Sequence, residues 1–181
     1  MKTYEFSIIA SGLDPQADDF ETRFYNAGCD DATISFQKGH IIVDFAREAE
    51  SIDAALVSAV ECVIAAGAHM DRVEPDSLVN LSDIASRTGM TRAAISQYSK
   101  GQRSKDFPSP VARVTSDSPL WDWATVAKWL FRHDKLTREA ALEAEALKVA
   151  NETIEAREPM LRQTIQERLK TYEATLENEA A

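Results

Sequence analysis

The sequence predicts an α+β protein, because the pattern of its 181 residues changes twice along the chain. Over residues 1–75, short alternating runs of apolar and polar residues are interleaved with two helical periodicities. Over residues 76–134, two short helices flank a glycine turn, and residues 135–181 are almost all good helix formers. We therefore predict an α+β domain, a small compact second domain and a helical arm.

The first 75 residues predict the order strand, helix, strand, strand, helix, strand. Alternation indicates strands at 4–10, 32–36, 40–45 and 68–73. Apolar residues at helical spacing indicate helices at 18–27 and 51–66, ended by Gly28 and Gly67. The connection Gln37-Lys38-Gly39 favours a hairpin. This is the order of a ferredoxin-like βαββαβ domain, an antiparallel four-stranded sheet with two helices on one face.

Residues 78–100, LVNLSDIASRTGMTRAAISQYSK, predict two short helices joined by a tight turn. Gly89 lies in the turn, where a left-handed backbone is favourable only for glycine. Ser82 and Thr91 are the predicted N-caps, since each precedes an apolar-periodic run. Six residues are predicted to pack between the helices: Ile84, Ala85, Thr88, Met90, Ile95 and Tyr98. This layout is that of a helix-turn-helix DNA reader.

The second helix, over residues 91–100, has a short polar face of a size that fits a major groove. Its first two turns are predicted to contact bases through Thr91, Arg92, Ser96 and Gln97. Later cations are predicted to contact phosphates, namely Lys100, Arg103, Lys105 and Arg113. Two alternatives stay open: the helix face is merely solvated, or Arg113 pairs with an acid such as Asp83.

Residues 101–134 predict a small β-wing and a third helix, and so a winged helix-turn-helix. Residues 111–114 could form a wing strand. Asp122 is a plausible cap for a helix that runs to Arg132. The inward face of that helix consists of Trp123, Val126, Ala127 and Leu130. All three tryptophans, Trp121, Trp123 and Trp129, are interpreted as core residues rather than base-stacking platforms.

Charge is distributed unevenly, although the formal net charge is −10. Residues 1–76 carry 5 basic and 15 acidic side chains, a net of −10, and residues 134–181 carry 7 and 11, a net of −4. Residues 77–133 carry 8 and 4, a net of +4. Screening confines charge effects to roughly 8 Å at physiological salt. The local sign therefore favours DNA contact, and the acidic flanks argue against a general nucleic-acid coater.

Residues 78–132 resemble the MerR-like and excisionase-like (AlpA-type) group of winged helix-turn-helix proteins. The matching segments are LSDIASRTGMTRAAISQY, FPSPVARV and WDWATVAKWL, in that order. The motif positions filled here are Phe107, Pro108, Pro110, Val111, Trp121, Val126 and Trp129. The chain departs from the group at the wing tip, where residues 115–119 contain no glycine. The resemblance covers about a third of the chain and implies control of transcription or of recombination direction on phage, plasmid or host promoters.

Residues 135–181 predict a long helix or a helical hairpin. The segment contains no glycine and one proline, Pro159, which should kink or divide the helix. Apolar residues recur at spacings of three, four and seven: Leu142, Leu147, Val149, Ile154, Leu161, Ile165, Leu169, Tyr172 and Leu176. The stripe fits a dimerisation arm and fits equally well an amphipathic helix packed on its own chain.

Catalysis, metal binding and cofactor binding find little support in the sequence. His40, His69 and His133 are scattered, and neither an HExxH pattern nor a glycine-rich phosphate loop is present. Cys29 and Cys62 lack CxxC spacing, so buried free thiols in a reducing compartment are expected. No apolar run approaches the roughly 20 residues of a membrane span, and a signal peptide is not expected. We expect a cytoplasmic protein that is not an enzyme, without catalytic residues, metal or cofactor.

These observations lead to the hypothesis of a sequence-specific double-stranded DNA-binding transcriptional regulator, with a repressor as the favoured form. The alternative is an excision, architectural or adaptor factor whose helix-turn-helix anchors a protein–protein interaction module. Specific sites usually comprise two half-sites about a helical turn apart, so a homodimer on an inverted repeat is expected. Residues 1–75 are expected to bind a small-molecule ligand or a protein partner, and no membrane contact is expected.

Overall fold

The structure is a computed structural model that describes residues 1–156 and 160–179, and its fold is mixed α+β. Contacts divide it into two compact units. Unit 1 comprises Met1–Pro75 with Ala146–Thr171, and unit 2 comprises Asp76–Glu145 with the residues from Tyr172 onward. Among the described helices, none combines the length and apolar character that a bilayer crossing requires.

Unit 1 begins with four strands and two helices in the predicted order. They are β1 (Lys2–Ser11), α1 (Phe20–Asn26), β2 (Ala32–Gln37), β3 (His40–Ala49), α2 (Ile52–Ala65) and β4 (His69–Glu74). The strands form one antiparallel sheet in the order β2-β3-β1-β4. The turn between β2 and β3 places Lys38 at φ 52° and Gly39 at φ 82°. These left-handed conformations are those of a two-residue turn, which closes the hairpin predicted at Gln37-Lys38-Gly39.

The core of unit 1 lies on one face of this sheet. Alternate residues of the two central strands are buried: Phe6, Ile8, Ala10, Ile41, Val43 and Phe45. α1 contributes Phe20 and Phe24, and α2 contributes the predicted stripe around Leu56, Val60 and Val63. The sequence pattern predicted this burial because strands alternate with a period of two and helices with a period of 3.6.

Unit 2 contains three helices and a two-stranded sheet before the C-terminal helices. They are β5 (Leu78–Val79), α3 (Leu81–Thr88), α4 (Arg92–Ser99), β6 (Trp121–Asp122) and α5 (Trp123–Arg132). β5 and β6 pair antiparallel and bring the start of α5 beside the start of α3. The core includes the predicted inward residues Trp123, Val126, Ala127 and Leu130.

The C-terminal segment forms α6 (Arg138–Glu155) and α7 (Leu161–Glu179). Pro159, the predicted breakpoint, lies outside the described residues. The segment is not a separate third domain, because Ala146–Thr171 belongs to unit 1 and both flanking parts belong to unit 2. Part of the apolar stripe is buried in the core of unit 1, through Leu147, Val149, Ile165 and Leu169. Of the two alternatives for the stripe, these residues therefore fit the helix packed on its own chain and not the dimerisation arm.

Within unit 1, α6 also closes one edge of the sheet. The side chain of Asn151 accepts a hydrogen bond from Val73 N at 2.7 Å and donates one to Val73 O at 2.9 Å. Its amide thus pairs with the backbone of β4 as a neighbouring strand would. Unpaired strand edges promote association with other chains, so this contact protects the β4 edge.

Candidate nucleic-acid interface

The first helix of the motif, α3, begins at an N-cap that the sequence analysis placed wrongly. Asn80, not Ser82, is the cap: its side-chain oxygen accepts hydrogen bonds from Ser82 N at 2.7 Å and Asp83 N at 3.0 Å. Asp83 completes a capping box by accepting from Asn80 N at 2.9 Å. The box satisfies three donors at the helix start, while the side chain of Ser82 is exposed.

The turn between α3 and α4 follows the prediction. Gly89 ends α3 with φ 68°, in the left-handed region. The hydroxyl of Thr88 donates to Ile84 O at 2.8 Å and accepts from Met90 N at 3.3 Å. Thr91 is the N-cap of α4, where its hydroxyl accepts from Ala94 N at 3.1 Å. These local bonds fix the path of the backbone from one helix to the next.

Packing sets which side of α4 faces solvent. Ile84 and Ala85 of α3, with Ile95 and Tyr98 of α4, are buried in the core of unit 2. The phenol ring of Tyr98 also packs edge-on against Trp129, at 5.2 Å between ring centroids. Because these contacts anchor α4 by its inner side, the opposite side presents a fixed set of residues.

The predicted base-contacting residues differ in exposure. Thr91 and Arg92 are exposed at the N-terminal end of α4, whereas Ser96 and Gln97 are half-buried. The oxygen of Thr91 is already engaged in the cap, so its hydroxyl proton and methyl group remain for a ligand. Arg92 forms no ion pair with any of the described residues, and its long side chain has the farthest reach of the four.

Two cations converge on the ring of Tyr98. Arg103 lies 5.7 Å and Lys135 lies 5.9 Å from its centroid. Sequence analysis selected Arg103 and missed Lys135, because Lys135 follows α5 and shares no helical spacing with α4. Lys100, Lys105 and Lys135 are all exposed. The exposed cations of this region therefore come from beyond α4 as well as from its C-terminal end.

The segment corresponding to the predicted wing is an irregular hairpin, and the strand predicted at residues 111–114 is absent. Only one bridge forms, between Ala112 and Leu120. Arg113 has φ 50°, which breaks the extended backbone, and its carbonyl accepts from Ser116 N at 2.9 Å. The side chain of Arg113 is exposed at this bend. No ion pair joins it to Asp83 or to any other described residue.

Aromatic contacts hold the start of this hairpin on the core. The ring of Phe107 packs against Trp129 at 5.0 Å and stacks on Tyr98 at 6.2 Å between centroids. The indole nitrogen of Trp121 donates to Pro108 O at 2.9 Å. Trp121 and Trp129 are thus buried, as is Trp123, which confirms the interpretation that the tryptophans are core residues.

Three of the four acidic side chains in residues 77–133 are engaged within unit 2. Asp83 belongs to the capping box, and Asp122 caps α5 by accepting from Thr125 N at 2.8 Å. Asp106 accepts from the Ser104 hydroxyl, which is the main reason that its pKa is lowered, and lies 3.4 Å from His133 Nε2. This engagement leaves the cations as the larger share of the exposed charge.

Arg87 is a cation that contributes to the core instead of the surface. Its guanidinium lies over the ring of Trp123, at 5.2 Å from the centroid, and donates to Asp76 O at 2.9 Å. Burial lowers the pKa of Arg87, with the nearby Asp83 and Asp76 acting in the opposite direction. Arg87 therefore stabilises the approach of α3 to α5 and is not part of the exposed basic group.

Comparisons of this chain with models of protein families, with curated proteins and with solved structures find no match in any of the three. The assignment of a function therefore depends on the chemistry and geometry described above.

Proposed function

We propose that the chain is a sequence-specific double-stranded DNA-binding regulator, with a repressor as the favoured form, whose unit 2 is a winged helix-turn-helix. The observation that carries this proposal is the placement of α4. Buried Ile95 and Tyr98 anchor the helix, while Arg92, at its N-terminal end, is exposed and forms no ion pair within the part of the chain that the structure describes. An anchored helix presents its outer residues in a fixed pattern, which the reading of base edges in the major groove requires.

The exposure and the length of each side chain suggest its role in DNA binding. Arg92 is the principal base contact, because a guanidinium can donate two parallel hydrogen bonds to guanine. Thr91, Ser96 and Gln97 act as shorter neighbours that contact bases or the sugar–phosphate backbone close to Arg92. The remaining exposed cations contact phosphates and set the register without reading sequence: Lys100, Arg103, Lys105, Lys135 and, at the bend of the hairpin, Arg113.

The proposal includes a homodimer that binds an inverted repeat, because one short reading helix contacts too few base pairs for a specific site. Since several residues of the C-terminal apolar stripe are buried in unit 1, dimerisation uses another surface. Sedimentation at micromolar concentration, with and without the DNA site, measures this directly. A monomer that binds DNA as a single copy would contradict the dimer.

The decisive experiment selects bound fragments from genomic DNA of the source organism and then compares two variants on the selected site. Arg92→Ala should cost about 1–3 kcal/mol of binding free energy and relax preference at one base position. Lys100→Ala should weaken binding to all sequences alike and reduce the slope of log K against log salt by about 1. Arg23→Ala removes an equal charge from α1 in unit 1 and serves as the matched control, with no effect on affinity expected.

The outcomes separate the proposal from its alternative. If Arg92→Ala and Lys100→Ala both lower affinity without changing sequence preference, the motif only anchors the chain, as in an excision, architectural or adaptor factor. If the chain binds none of the genomic fragments even at low ionic strength, the DNA-binding proposal fails for both forms.

For unit 1 we propose a ferredoxin-like domain that binds a small ligand or a protein partner within a cytoplasmic regulator. The sheet order β2-β3-β1-β4 supports the fold assignment. A cleft of about 520 Å³ between α1 and β2 supports the binding role, with Glu21, Tyr25, Asp30 and Ile34 in its lining. Two carboxylates beside apolar side chains favour a cationic, partly apolar occupant. Neither a cofactor nor a catalytic step is part of this proposal.

A further inference from the structure

A buried arginine organises the deepest polar site of unit 1. Arg47, near the end of β3, is only 8% exposed and forms two parallel bonds to Asp31, at 2.8 Å and 2.7 Å. It also donates to Gly28 O at 2.8 Å and to the Ser58 hydroxyl at 3.2 Å. Its Nη2 lies 3.8 Å from the sulfur of Cys62. One guanidinium therefore binds a carboxylate and a cysteine sulfur at the same time.

Two cysteines that are distant in sequence meet beside this arginine. Cys29 follows the turn after α1 and Cys62 lies in α2; both are free and buried. The thiol of Cys29 is within hydrogen-bonding reach of the Cys62 sulfur. Arg47 Nη2, which donates to Gly28 O, lies 3.8 Å from that sulfur. When Cys62 is protonated it donates to Ala59 O, at 3.2 Å. Because Arg47 binds Gly28, directly before Cys29, and Asp31, two residues after it, the arginine fixes the turn that carries Cys29 beside Cys62.

The arrangement makes the two sulfurs chemically unequal. The hydrogen bond from Cys29 and the charge of Arg47 lower the pKa of Cys62, against the effects of burial and of Asp31. The pKa of Cys29 is raised, first by that same hydrogen bond and then by burial. Cys62 is thus the sulfur that ionises first, and only a thiolate is a good nucleophile. Cys29 is the protonated neighbour.

We propose that Cys62, Cys29 and Arg47 form a peroxide-reactive dithiol site, in which Cys62 is the attacking sulfur and Cys29 the resolving one. The Cys62 thiolate attacks one oxygen of hydrogen peroxide, and the O–O bond breaks. The leaving oxygen takes up the proton that Cys62 released, which gives water and a sulfenic acid. Cys29 then attacks the sulfur of Cys62, the S–O bond breaks, and the released hydroxide takes the Cys29 proton. Two thiols are oxidised to one disulfide, and one peroxide is reduced to two waters.

Access and electrostatics favour a small, uncharged oxidant. Cys29 belongs to the lining of the cleft between α1 and β2 and Cys62 does not, so an oxidant approaches the site from the side of Cys29 and must be small. The positive charge of Arg47, whose Nη2 lies 3.8 Å from the Cys62 sulfur, favours the negative charge that develops on the leaving oxygen as the O–O bond breaks. Glu21 and Asp30 in the same lining disfavour anionic disulfide reagents such as oxidised glutathione. Hydrogen peroxide, which is small and uncharged, is therefore the oxidant that fits this site.

The test uses the full reduced chain with hydrogen peroxide, followed by alkylation and peptide mapping without reductant. We expect one intramolecular Cys29–Cys62 disulfide per chain, reversed by a thiol reductant. Each unit by which the pKa of Cys62 falls raises the thiolate fraction about tenfold below the pKa, so the folded chain should react faster than the urea-unfolded chain. Equal or slower reaction in the folded state, or disulfides only between chains, would overturn the proposal.

Two conservative variants assign the roles of the sulfurs. In Cys29→Ser, Cys62 should form a sulfenic acid that a carbon nucleophile such as dimedone traps, and no disulfide should form. In Cys62→Ser, Cys29 should be unreactive. Circular dichroism establishes that each variant is folded, and the unfolded chain of each variant gives its reference rate. Trapping at Cys29 in Cys62→Ser, at the rate seen for Cys62, would refute the assignment.

Discussion

Residues 1–75 of unit 1 and the helix-turn-helix region of unit 2 both hold charged side chains of the less abundant sign in internal contacts, and that sign is opposite in the two regions. In the helix-turn-helix region of unit 2, where cations dominate, Asp83, Asp106 and Asp122 are engaged in caps and internal contacts. In residues 1–75, where acids dominate, Arg47 is buried and binds Asp31. The engagement differs in depth, because Arg47 is buried whereas Arg23 in unit 1 and Asp106 in unit 2 stay largely exposed. The useful comparison is therefore between a buried charge of the less abundant sign, such as Arg47, and an exposed one, such as Arg23.

The largest expected effect tests the burial of the minority cation in unit 1. Arg47→Met should destabilise the chain by an amount near the lower end of the roughly 3–5 kcal/mol typical of breaking a buried ion pair. The lower end is expected because the Asp31 side chain, at 31% exposure, recovers water when its partner is removed. Urea unfolding followed by far-ultraviolet circular dichroism measures the change.

Arg23→Met is the matched control for Arg47→Met. Arg23 forms an ion pair with Asp19 at 2.8 Å, a distance close to that of the Arg47 pair, but both side chains are about half exposed. Exposed pairs contribute about 0–1 kcal/mol. Similar losses in the two variants would mean that burial does not distinguish these cations, and the comparison between the units would fail.

The next effect tests the use of acids and amides as caps in unit 2. Asn80→Ala should cost about 1 kcal/mol, since it removes the acceptor for two backbone N–H groups at the start of α3. Ser82→Ala, at the position predicted from the sequence, should change stability by less than about 0.5 kcal/mol. All three tryptophans lie in unit 2, so fluorescence follows this unit specifically. A larger loss for Ser82→Ala would show that the cap had been placed correctly from sequence.

The contrast between Asn80 and Ser82 explains how far the sequence could predict this motif. Periodicity predicted α3, α4 and α5, the buried residues between them and the left-handed Gly89, since these depend on local spacing. The cap was misplaced because Asn80 and Ser82 are both good caps, and the choice depends on where helical dihedrals begin. The strand predicted at residues 111–114 failed because the bend at Arg113 leaves no propensity signal.

Features that depend on distant contacts could not be predicted. The apolar stripe of α6 and α7 indicates a buried face but not the surface that covers it. A dimerisation arm and a helix packed on its own chain have the same sequence pattern, so the sequence could not distinguish them. The pairing of Cys29 with Cys62 depends on the turn after α1 lying beside α2. Lys135 joins Arg103 only through the ring of Tyr98. In each case the sequence supplies the residue, and tertiary packing supplies its neighbour.

The smallest expected effect is the pH dependence of stability that arises from the ion pair between Arg47 and Asp31. The hydrogen bond from Arg47 is the main reason that the pKa of Asp31 is lowered, and burial opposes it. The unfolded chain, with a carboxyl pKa near 3.9, therefore binds a proton at a higher pH than the folded chain does. The stabilisation is complete above the unfolded pKa and is lost as pH falls through the lower folded pKa.

Wild type and Arg47→Met, unfolded in urea between mildly acidic and strongly acidic pH, should show this difference. The stability gap between them should be constant above about pH 5 and should narrow as Asp31 becomes protonated. In unit 2 the pKa of Asp106 is also lowered, by the Ser104 hydroxyl, but Asp106 is exposed. Asp106→Asn should therefore change the free energy of unfolding at acidic pH less than Arg47→Met does. Added salt should diminish the effect of Asp106→Asn further. A gap that widens on acidification would mean that Arg47 favours the protonated form of its partner, which is incompatible with a buried cation engaged by a carboxylate.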